Sequence, residues 1–469
     1  MGITMSSVAR RALEPLASLK LTVVLFAMGF FIVFAGTVAQ IDKGIWTVVS
    51  DYFRCAFAWI DFQIFFPRRW SIPGGFWFPG GWLIGGVLLV NILAAHAIRF
   101  KMSARGLRLG AGLVVLAAGA LLTALIIAGV FNKGVAYTED DAFWRVTLRL
   151  AKGGGAAIVL WIACVLLFKK RAGIVLLHGG IILLFASEFL TGTTAVEGRM
   201  RINAGESKNY VEHMRSAELA FIDRSNPDHD RVIVVPMSRL QRGGTIRDAQ
   251  LPFDVEVARY MKNSSVIDST GIPPSMTNPA TAGAGLQAFV FERPEVSGTD
   301  TEQSVDIPSV YVTLHDKQSG KPLGTYLASI WLEGTQIERQ TVTTGDHAYD
   351  MTLRFARTYK PYRIELIKFE HDKYVGTEKP KNFSSLVRVS DPAEGVDRTV
   401  KIWMNNPLRY AGETFYQSSF EPGKNLTILQ VVRNDGWMIP YLSCMIVGVG
   451  LAAHFSANLL GFLRRRVSL

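Results

Sequence analysis

Residues 176–192, LLHGGIILLFASEFLTG, are followed closely by residues 196–206, VEGRMRINAGE. The first segment is apolar and close to the roughly 20 residues that a helix needs to cross a bilayer. The second is charged and opens a long polar region. The boundary near residue 192 therefore separates a membrane part of the chain from a soluble part.

The composition agrees with two such parts, since 49% of the residues are hydrophobic while 19% are charged. Apolar stretches that reach or approach the length of a membrane span occur at 18–39, 79–98, 109–131, 154–168, 172–192 and 437–461. We predict a polytopic α-helical membrane protein with about six spans: a membrane domain over 1–192, a large β-rich domain over 193–435, and a final span with a short basic tail over 437–469. The first stretch exceeds a signal-peptide core, so we expect it to be retained.

Cations predict the topology, because they collect in short cytoplasmic loops. With six spans, four basic clusters fall on one side: Arg10, Arg11 and Lys20; Arg99, Lys101, Arg105 and Arg108; Lys169, Lys170 and Arg171; and Arg464, Arg465 and Arg466. This places the β-rich domain on the extracytoplasmic side, with a bacterial cytoplasmic (inner) membrane as the simplest location. The clusters also hold much of the net charge of +11, so no nucleic-acid partner is predicted.

Local patterns predict the smaller elements. Phe53, Phe57, Ile60 and Ile64 recur at helical spacing, which predicts a helix lying in the outer membrane interface near 46–66. Short β-branched or aromatic runs predict strands at 310–314, 351–355, 363–369, 385–389, 399–404 and 426–432. These strands favour a sandwich or an open barrel. Residues 262–284, rich in Ser, Thr, Pro and Gly, are predicted to form a long loop.

Three histidines lie in predicted spans, where an ionisable residue is costly and marks a candidate functional site. Counted from the nearest cytoplasmic cation at about 1.5 Å per residue, His96, His178 and His454 lie at depths of roughly 5, 10 and 15 Å. All three would occupy the inner half of the bilayer, where neutral imidazole can ligate haem iron.

Each histidine also has a structural interpretation. His96 is close enough to the headgroups to be an interfacial residue, and His454 could hydrogen-bond between helices. His178 precedes Gly179 and Gly180, which would let another helix or a flat ligand approach closely. We therefore favour His178 as the haem ligand and keep His96 and His454 as further cofactor-binding candidates.

No self-contained catalytic constellation is visible: the sequence has no HExxH, Ser-His-Asp pattern, P-loop or GxGxxG. Cys55, Cys164 and Cys444 form no CxxC pair, so the chain is not predicted to be a dithiol oxidoreductase. If it has a role in catalysis, that role is expected to be as an accessory subunit.

Several motifs resemble the ResB (CcsB) family of system II cytochrome c biogenesis proteins. The resemblance lies in ASLKLTVV at 17–24, in the run from 170 to 205 that contains the histidine-bearing helix, and in NFSSLVRV, KIWMNNPLRYAGETFYQSSF and ILQVVRNDGW before the last span. It thins between residues 100 and 168, where the family has a cytoplasmic loop and this chain is predicted to insert a helical hairpin.

The resemblance implies a cytochrome c synthase component that moves haem b across the membrane and supports its attachment to CxxCH cysteines of apocytochrome c. It implies a CcsA (ResC) type partner, which would supply the second axial ligand, and a thiol-disulfide oxidoreductase that keeps those cysteines reduced. His178 matches the family histidine that is taken to bind haem transiently.

The segment that leads back to the membrane carries Asn405, Asn406, Arg409, Tyr416 and Gln417, candidates for contacts with the apocytochrome or an outer haem site. The alternative for this segment is an ordinary edge strand and turn. For the whole chain, the alternative is a membrane chaperone or insertase, which would have a hydrophilic membrane groove and no bound pigment. A haem sensor would need a cytoplasmic output domain, and none is visible in the sequence.

Overall fold

A computed structural model describes residues 7–41, 43–67, 69–99, 102–132, 142–296, 305–345, 347–373, 380–419 and 425–467. Lys101, one of the predicted cytoplasmic cations, lies outside these ranges. Within them the α-helices are α1 (Ser7–Leu16), α2 (Leu19–Ala39), α3 (Ile45–Val48), α4 (Gly81–Arg99), α5 (Gly106–Ile127), α6 (Ala142–Phe168), α7 (Ala172–Thr194), α8 (Met237–Arg242) and α9 (Ile439–Val467).

Five apolar helical stretches in the described part of the chain are long enough to cross a membrane. They are Arg10–Ala39, Gly81–Arg99, Gly106–Ile127, Val146–Thr194 and Ile439–Arg466. The fourth, of 49 residues, contains two helices, because α6 and α7 are joined only by a 3-10 turn over Lys169–Arg171. Each of the six predicted spans thus lies in a long helix, as expected for a polytopic membrane protein.

Glycines set the close packing of α7 on α9. A Cβ added to Gly450 would stand 2.7 Å from the backbone nitrogen of Leu177, and one added to Gly173 would stand 2.7 Å from the backbone nitrogen of His454. A Cβ on Gly180 would be 3.0 Å from the carbonyl oxygen of Ser443. Small residues allow backbones to approach in this way, which compensates for the lack of a hydrophobic driving force between helices in lipid.

The predicted interfacial helix over 46–66 is wrong beyond Phe53. Helix α3 continues as a π-helical turn over Val49–Phe53, and the chain then forms strand β1 (Phe57–Asp61), which pairs antiparallel with β2 (Gly75–Pro79). Ala58 and Ile60 are buried while Phe57 and Trp59 are exposed, so the burial period is two. Cross-strand pairing, which places Trp59 opposite Trp77, overrides the helical spacing.

The remaining strands belong to the β-rich region. They are β3 (Val196–Asn203), β4 (Ser207–Asp223), β5 (Arg231–Pro236), β6 (Gly244–Ile246), β7 (Phe253–Met261), β8 (Ser264–Asp268), β9 (Ala288–Glu292), β10 (Ser309–Asp316), β11 (Pro322–Ser329), β12 (Gln340–Thr344), β13 (His347–Lys373), β14 (Pro380–Asp391), β15 (Val396–Trp403), β16 (Leu408–Tyr410), β17 (Glu413–Ser419) and β18 (Leu426–Arg433). All six predicted strands are present, and those at 351–355 and 363–369 are two parts of the long β13.

The main sheet curves into a nearly closed barrel. Its order is β15-β14-β13-β4-β3-β18-β17-β16, with β12 added to β13 and β5 to β4. The two end strands of this path, β15 and β16, are consecutive in the chain and are joined by a turn with a bridge between Trp403 and Asn406. Of the two predicted classes, the open barrel therefore describes this sheet.

The two largest apolar clusters of the described residues lie in the β-rich region. One lies inside the barrel and includes Met200, Tyr362 and Phe415, all buried. The other joins residues 217–221 of β4 and 349–355 of β13 to a four-stranded sheet of order β11-β10-β7-β6. Phe221 and Phe253 both belong to this cluster. The first cluster includes Leu408 and Phe415, which belong to the segment that returns to the membrane.

The predicted loop over 262–284 is wrong at its start, where β8 pairs with β9. Ser264 can be buried there because one hydrogen bond of 2.7 Å joins its hydroxyl to that of Ser309, which donates another of the same length to Ser329. These contacts satisfy polar side chains whose composition is typical of a loop.

Candidate functional site

His96 and His178 meet between α4 and α7. His178 Nδ1 lies 3.3 Å from His96 Nε2, and the two rings are nearly perpendicular with their centres 4.8 Å apart. The helices are antiparallel, since a Cβ on Gly85 would stand 3.5 Å from Phe185 near their other ends. The sequence marked both histidines, and only the fold makes them a pair.

The contacts define the arrangement of protons in the neutral pair. His96 Nδ1 lies 2.9 Å from the carbonyl oxygen of Ile92, which can only accept, so this nitrogen carries the hydrogen. His96 Nε2 then has the lone pair and accepts from His178 Nδ1–H. This leaves the lone pair of His178 on Nε2, the form of imidazole that ligates a metal.

The two glycines that follow His178 have different surroundings. Gly179 is exposed, and apart from its two chain neighbours and the backbone of its own helix, no described atom lies within 4 Å of the place where its Cβ would stand. The space beside Gly180, in contrast, is filled by Ser443 and Val447 of α9. Of the two, Gly180 is therefore buried against α9 and Gly179 has open space beside it.

A buried asparagine that the sequence analysis did not single out anchors α4. Asn91 Nδ2 donates to the carbonyl oxygens of Leu16 at 2.6 Å and Ser18 at 3.1 Å, and its Oδ1 accepts from Thr22 at 2.8 Å. The signal was an Asn inside an apolar span, five residues before His96, since a buried amide in a membrane helix needs partners. These bonds fix α4 against the start of α2.

Arginines join the helix ends near the histidines. Arg99 Nη2 donates to the carbonyl oxygen of Ala17 at 2.8 Å, and Arg171 Nη1 donates to the carbonyl oxygen of Arg99 at 2.6 Å. Arg99, Lys170 and Arg171 belong to the basic clusters that the sequence predicts on the cytoplasmic side. Arg99 thus joins the end of α4 to the turn between α1 and α2, and Arg171 joins the start of α7 to the end of α4.

His454 is not brought to the histidine pair. Its backbone packs beside Gly173, only two residues from Arg171, and its Nε2 accepts from Asn458 Nδ2 at 3.1 Å. The predicted depth order, with His454 deeper than His178, is wrong because α9 continues well past the level at which α7 begins. His454 bonds within its own helix.

The outer candidates divide into turn and barrel residues. Asn405 has φ +63°, a left-handed conformation that Asn tolerates well. Asn406 is buried, and its backbone exchanges hydrogen bonds with Trp403. Both asparagines thus form the turn between β15 and β16, as the structural alternative for this segment predicted.

Gln417 links strands of the barrel that are distant in the sequence. Its Oε1 accepts from Ser385 at 2.6 Å, and its Nε2 donates to Thr427 at 3.0 Å. This connects β17 to β14 and β18, so the side chain of Gln417 stabilises the barrel. Tyr416 is more exposed than Gln417 and belongs to the opposite face of β17.

A buried carboxylate that the sequence analysis missed supports the same segment. Glu413 binds Lys360 Nζ at 2.6 Å and accepts a short hydrogen bond from the Tyr362 hydroxyl. Burial and this contact raise the pKa of Tyr362 far above its usual value. Lys360 and Tyr362 lie on β13 and Glu413 lies on β17, more than 50 residues further along the chain, so no local motif could have found the group.

Arg409 contacts the start of the last membrane helix. Its guanidinium carbon lies 3.8 Å from the centre of the Trp437 ring, and its Nη1 donates to Thr414 at 3.1 Å. Burial lowers the pKa of Arg409, and the nearby positive charge of Arg149 lowers it further, although Tyr416 acts in the opposite sense. Of the predicted outer candidates, Arg409 makes the contact between barrel and membrane domain.

Residues 332–438 match the model of the ResB-like family. Protein NrfI of Wolinella succinogenes is 28% identical over 117 residues, which make up 25% of this chain and 13% of NrfI. The predicted resemblance to ResB proteins is confirmed over the barrel segment that contains Arg409, and the chain covers only a small part of that relative's length.

Proposed function

We propose that this chain, whose residues 332–438 match the ResB-like family model, is a membrane component of cytochrome c biogenesis that binds haem b transiently at His178 and passes it across the membrane. The family match supports the role in cytochrome c biogenesis. The observation that carries the haem site is the contact of 3.3 Å between His178 and His96.

Haem is the cargo in this proposal, and the residues of α4 and α7 supply its site. His178 Nε2 offers its lone pair to the iron, while His96 holds the opposite ring nitrogen protonated. The open side of Gly179 would admit a flat ring, and the guanidinium groups of Arg99 and Arg171, at the nearby helix ends, would attract propionates. The second axial ligand would come from a CcsA (ResC) type partner.

The β-barrel would face the extracytoplasmic side of a bacterial cytoplasmic membrane. There the surface around Arg409 and Tyr416 would receive haem or the apocytochrome, whose CxxCH cysteines a thiol-disulfide oxidoreductase keeps reduced. The proposal follows from the cation distribution together with the contact of Arg409 on Trp437.

The test is the absorption spectrum of the purified full-length protein, co-expressed with its CcsA-type partner, in the wild type, His178→Ala and His454→Ala. We expect a reduced haem spectrum in the wild type and in His454→Ala, and its loss or alteration in His178→Ala. His454→Ala is the matched control because it removes a membrane histidine that lies outside the pair.

Equal haem in all three proteins would contradict the assignment of His178. No pigment in any of them would favour the membrane chaperone or insertase alternative. Accumulation of each protein in the membrane, measured by immunoblot, separates loss of haem from loss of the protein.

A further inference from the structure

Two arginines from distant parts of the chain meet at one tryptophan. Trp437 lies at the end of the β-rich region, just before α9. The guanidinium carbon of Arg409, on β16, is 3.8 Å from the centre of its ring, and that of Arg149, in the early part of α6, is 5.3 Å from it. The barrel and a membrane helix thus each contribute a cation to the same place.

Acidic residues of the described ranges do not neutralise this pair. Neither arginine forms an ion pair with a described carboxylate. Glu413, adjacent in sequence to the Thr414 that Arg409 binds, is already bound by Lys360 at 2.6 Å. Asp435, two residues before Trp437, lies 3.9 Å from Arg433.

Contact with the aromatic ring does not account for both arginines. One guanidinium at 3.8 Å is well placed for a cation–π interaction, which weakens towards a limit of about 6 Å. Arg149, at 5.3 Å, gains little from the ring and adds the repulsion of a second positive charge. The positive charge of Arg149 is among the causes that lower the pKa of Arg409. An anion between the two groups would remove that repulsion.

We propose that Arg149, Arg409 and Trp437 form a binding site for the carboxylate or phosphate group of an amphipathic anion. Guanidinium groups bind such anions through forked pairs of charge-assisted hydrogen bonds. Tyr441 lies in α9, four residues after Trp437. Its ring centre is 6.2 Å from that of Trp437, and its side chain is exposed. It extends an aromatic surface on which the apolar body of the ligand can lie.

Two molecules offer this chemistry at a membrane boundary: an anionic phospholipid through its phosphate, and haem through its propionates. The inference does not rest on the proposed function, because a phospholipid would satisfy the same contacts in a protein that never binds haem.

The experiment uses the full-length protein in nanodiscs of neutral phosphatidylcholine. The test variant is the double substitution Arg149→Gln/Arg409→Gln, and the control is Arg433→Gln, which removes an exposed cation just before the same helix. One arm counts phosphatidylglycerol adducts by native mass spectrometry. The other titrates haemin and its dimethyl ester, which lacks the carboxylates, in a His178→Ala background that removes the proposed membrane ligand.

We expect the double variant to bind one of the two anions about tenfold or more weakly, since charge-assisted hydrogen bonds are lost, while Arg433→Gln binds as the parent protein does. Weaker phosphatidylglycerol binding identifies a lipid site. Loss of the preference for haemin over its ester identifies a propionate site, and both changes identify a site shared by the two.

Unchanged binding in both arms would overturn the inference. Thermal melting monitors folding, and if the double variant does not fold, Arg149→Gln alone replaces it because Arg409 then keeps its contact with Trp437. Binding in that variant equal to the parent in both arms would overturn the inference as well. A failure of the His178 assignment leaves the phospholipid arm unaffected.

Discussion

Replacing His96 tests how the histidine pair works. In the proposed arrangement His96 does not bind iron but accepts a hydrogen bond from His178 Nδ1 and so presents Nε2. His96→Leu removes this acceptor, while His96→Gln retains a side-chain oxygen that can accept. The two variants therefore separate loss of the hydrogen bond from loss of an iron ligand.

The length of the contact sets the expected size of the effect. Partners of this kind typically change metal affinity 10–100-fold on mutation. The distance of 3.3 Å between His178 Nδ1 and His96 Nε2 is long for a hydrogen bond, so we expect a change in affinity at or below the lower end of this range. A net hydrogen bond of about 0.5–1.5 kcal/mol corresponds to a loss of about 2- to 12-fold in haem affinity for His96→Leu.

The assay is haem titration of the purified full-length variants, with reduced-minus-oxidised spectra and haem content per protein. We expect His96→Gln to bind close to the wild type, His96→Leu to bind more weakly with an altered spectrum, and His178→Ala not to bind at this site. If both His96 variants lost haem as completely as His178→Ala, His96 would be a ligand. If His96→Leu were unchanged, the pair would have no role in binding.

Three further predictions concern stability. Gly450→Val should lower the free energy of unfolding by about 1–3 kcal/mol, because its side chain would enter the backbone of α7, whereas Gly448→Ala, which meets no atom within 4 Å, should change the melting temperature little. Glu413→Ala should lower the free energy of unfolding by about 3–5 kcal/mol in a denaturant titration, because it leaves Lys360 largely buried without its partner. The same substitution should cost less in a Lys360→Met background, and an unchanged cost would contradict this account. Burial raises the pKa of Tyr260 to about 12, above the pKa of a tyrosine in the unfolded chain. The contribution of protonated Tyr260 to the free energy of unfolding is therefore complete below pH 10 and is lost as the pH rises towards 12. After allowance for its partial exposure, this loss should reach about 1–2 kcal/mol and be absent in Tyr260→Phe, and equal pH profiles of the two proteins would refute it.

The sequence by itself determined the elements that depend on local composition. Long apolar runs can only be helices in lipid, because every backbone group must be satisfied within the segment, and each of the six predicted spans lies in a long helix. Alternating β-branched runs predicted six strands of the β-rich region correctly. The sequence also singled out His178, because an imidazole beside two glycines is unusual in an apolar helix, and its role as a haem ligand stays a prediction.

Patterns failed where pairing competed with local preference. The helical spacing near 46–66 gave way to a hairpin that places Trp59 opposite Trp77, and the serine-rich start of 262–284 became a strand because Ser264 found buried partners. In both places the partner residues lie elsewhere in the chain, so the local sequence did not contain the deciding contact.

Only the tertiary structure decided how the candidates are grouped. It joined His96 to His178, placed His454 apart from them, and turned Gln417 into a link between barrel strands while bringing Arg409 to Trp437. These contacts depend on the packing of elements far apart in sequence, through Asn91, the glycines of α7 and α9, and the closure of the barrel. Spacing along one helix or strand does not determine such packing.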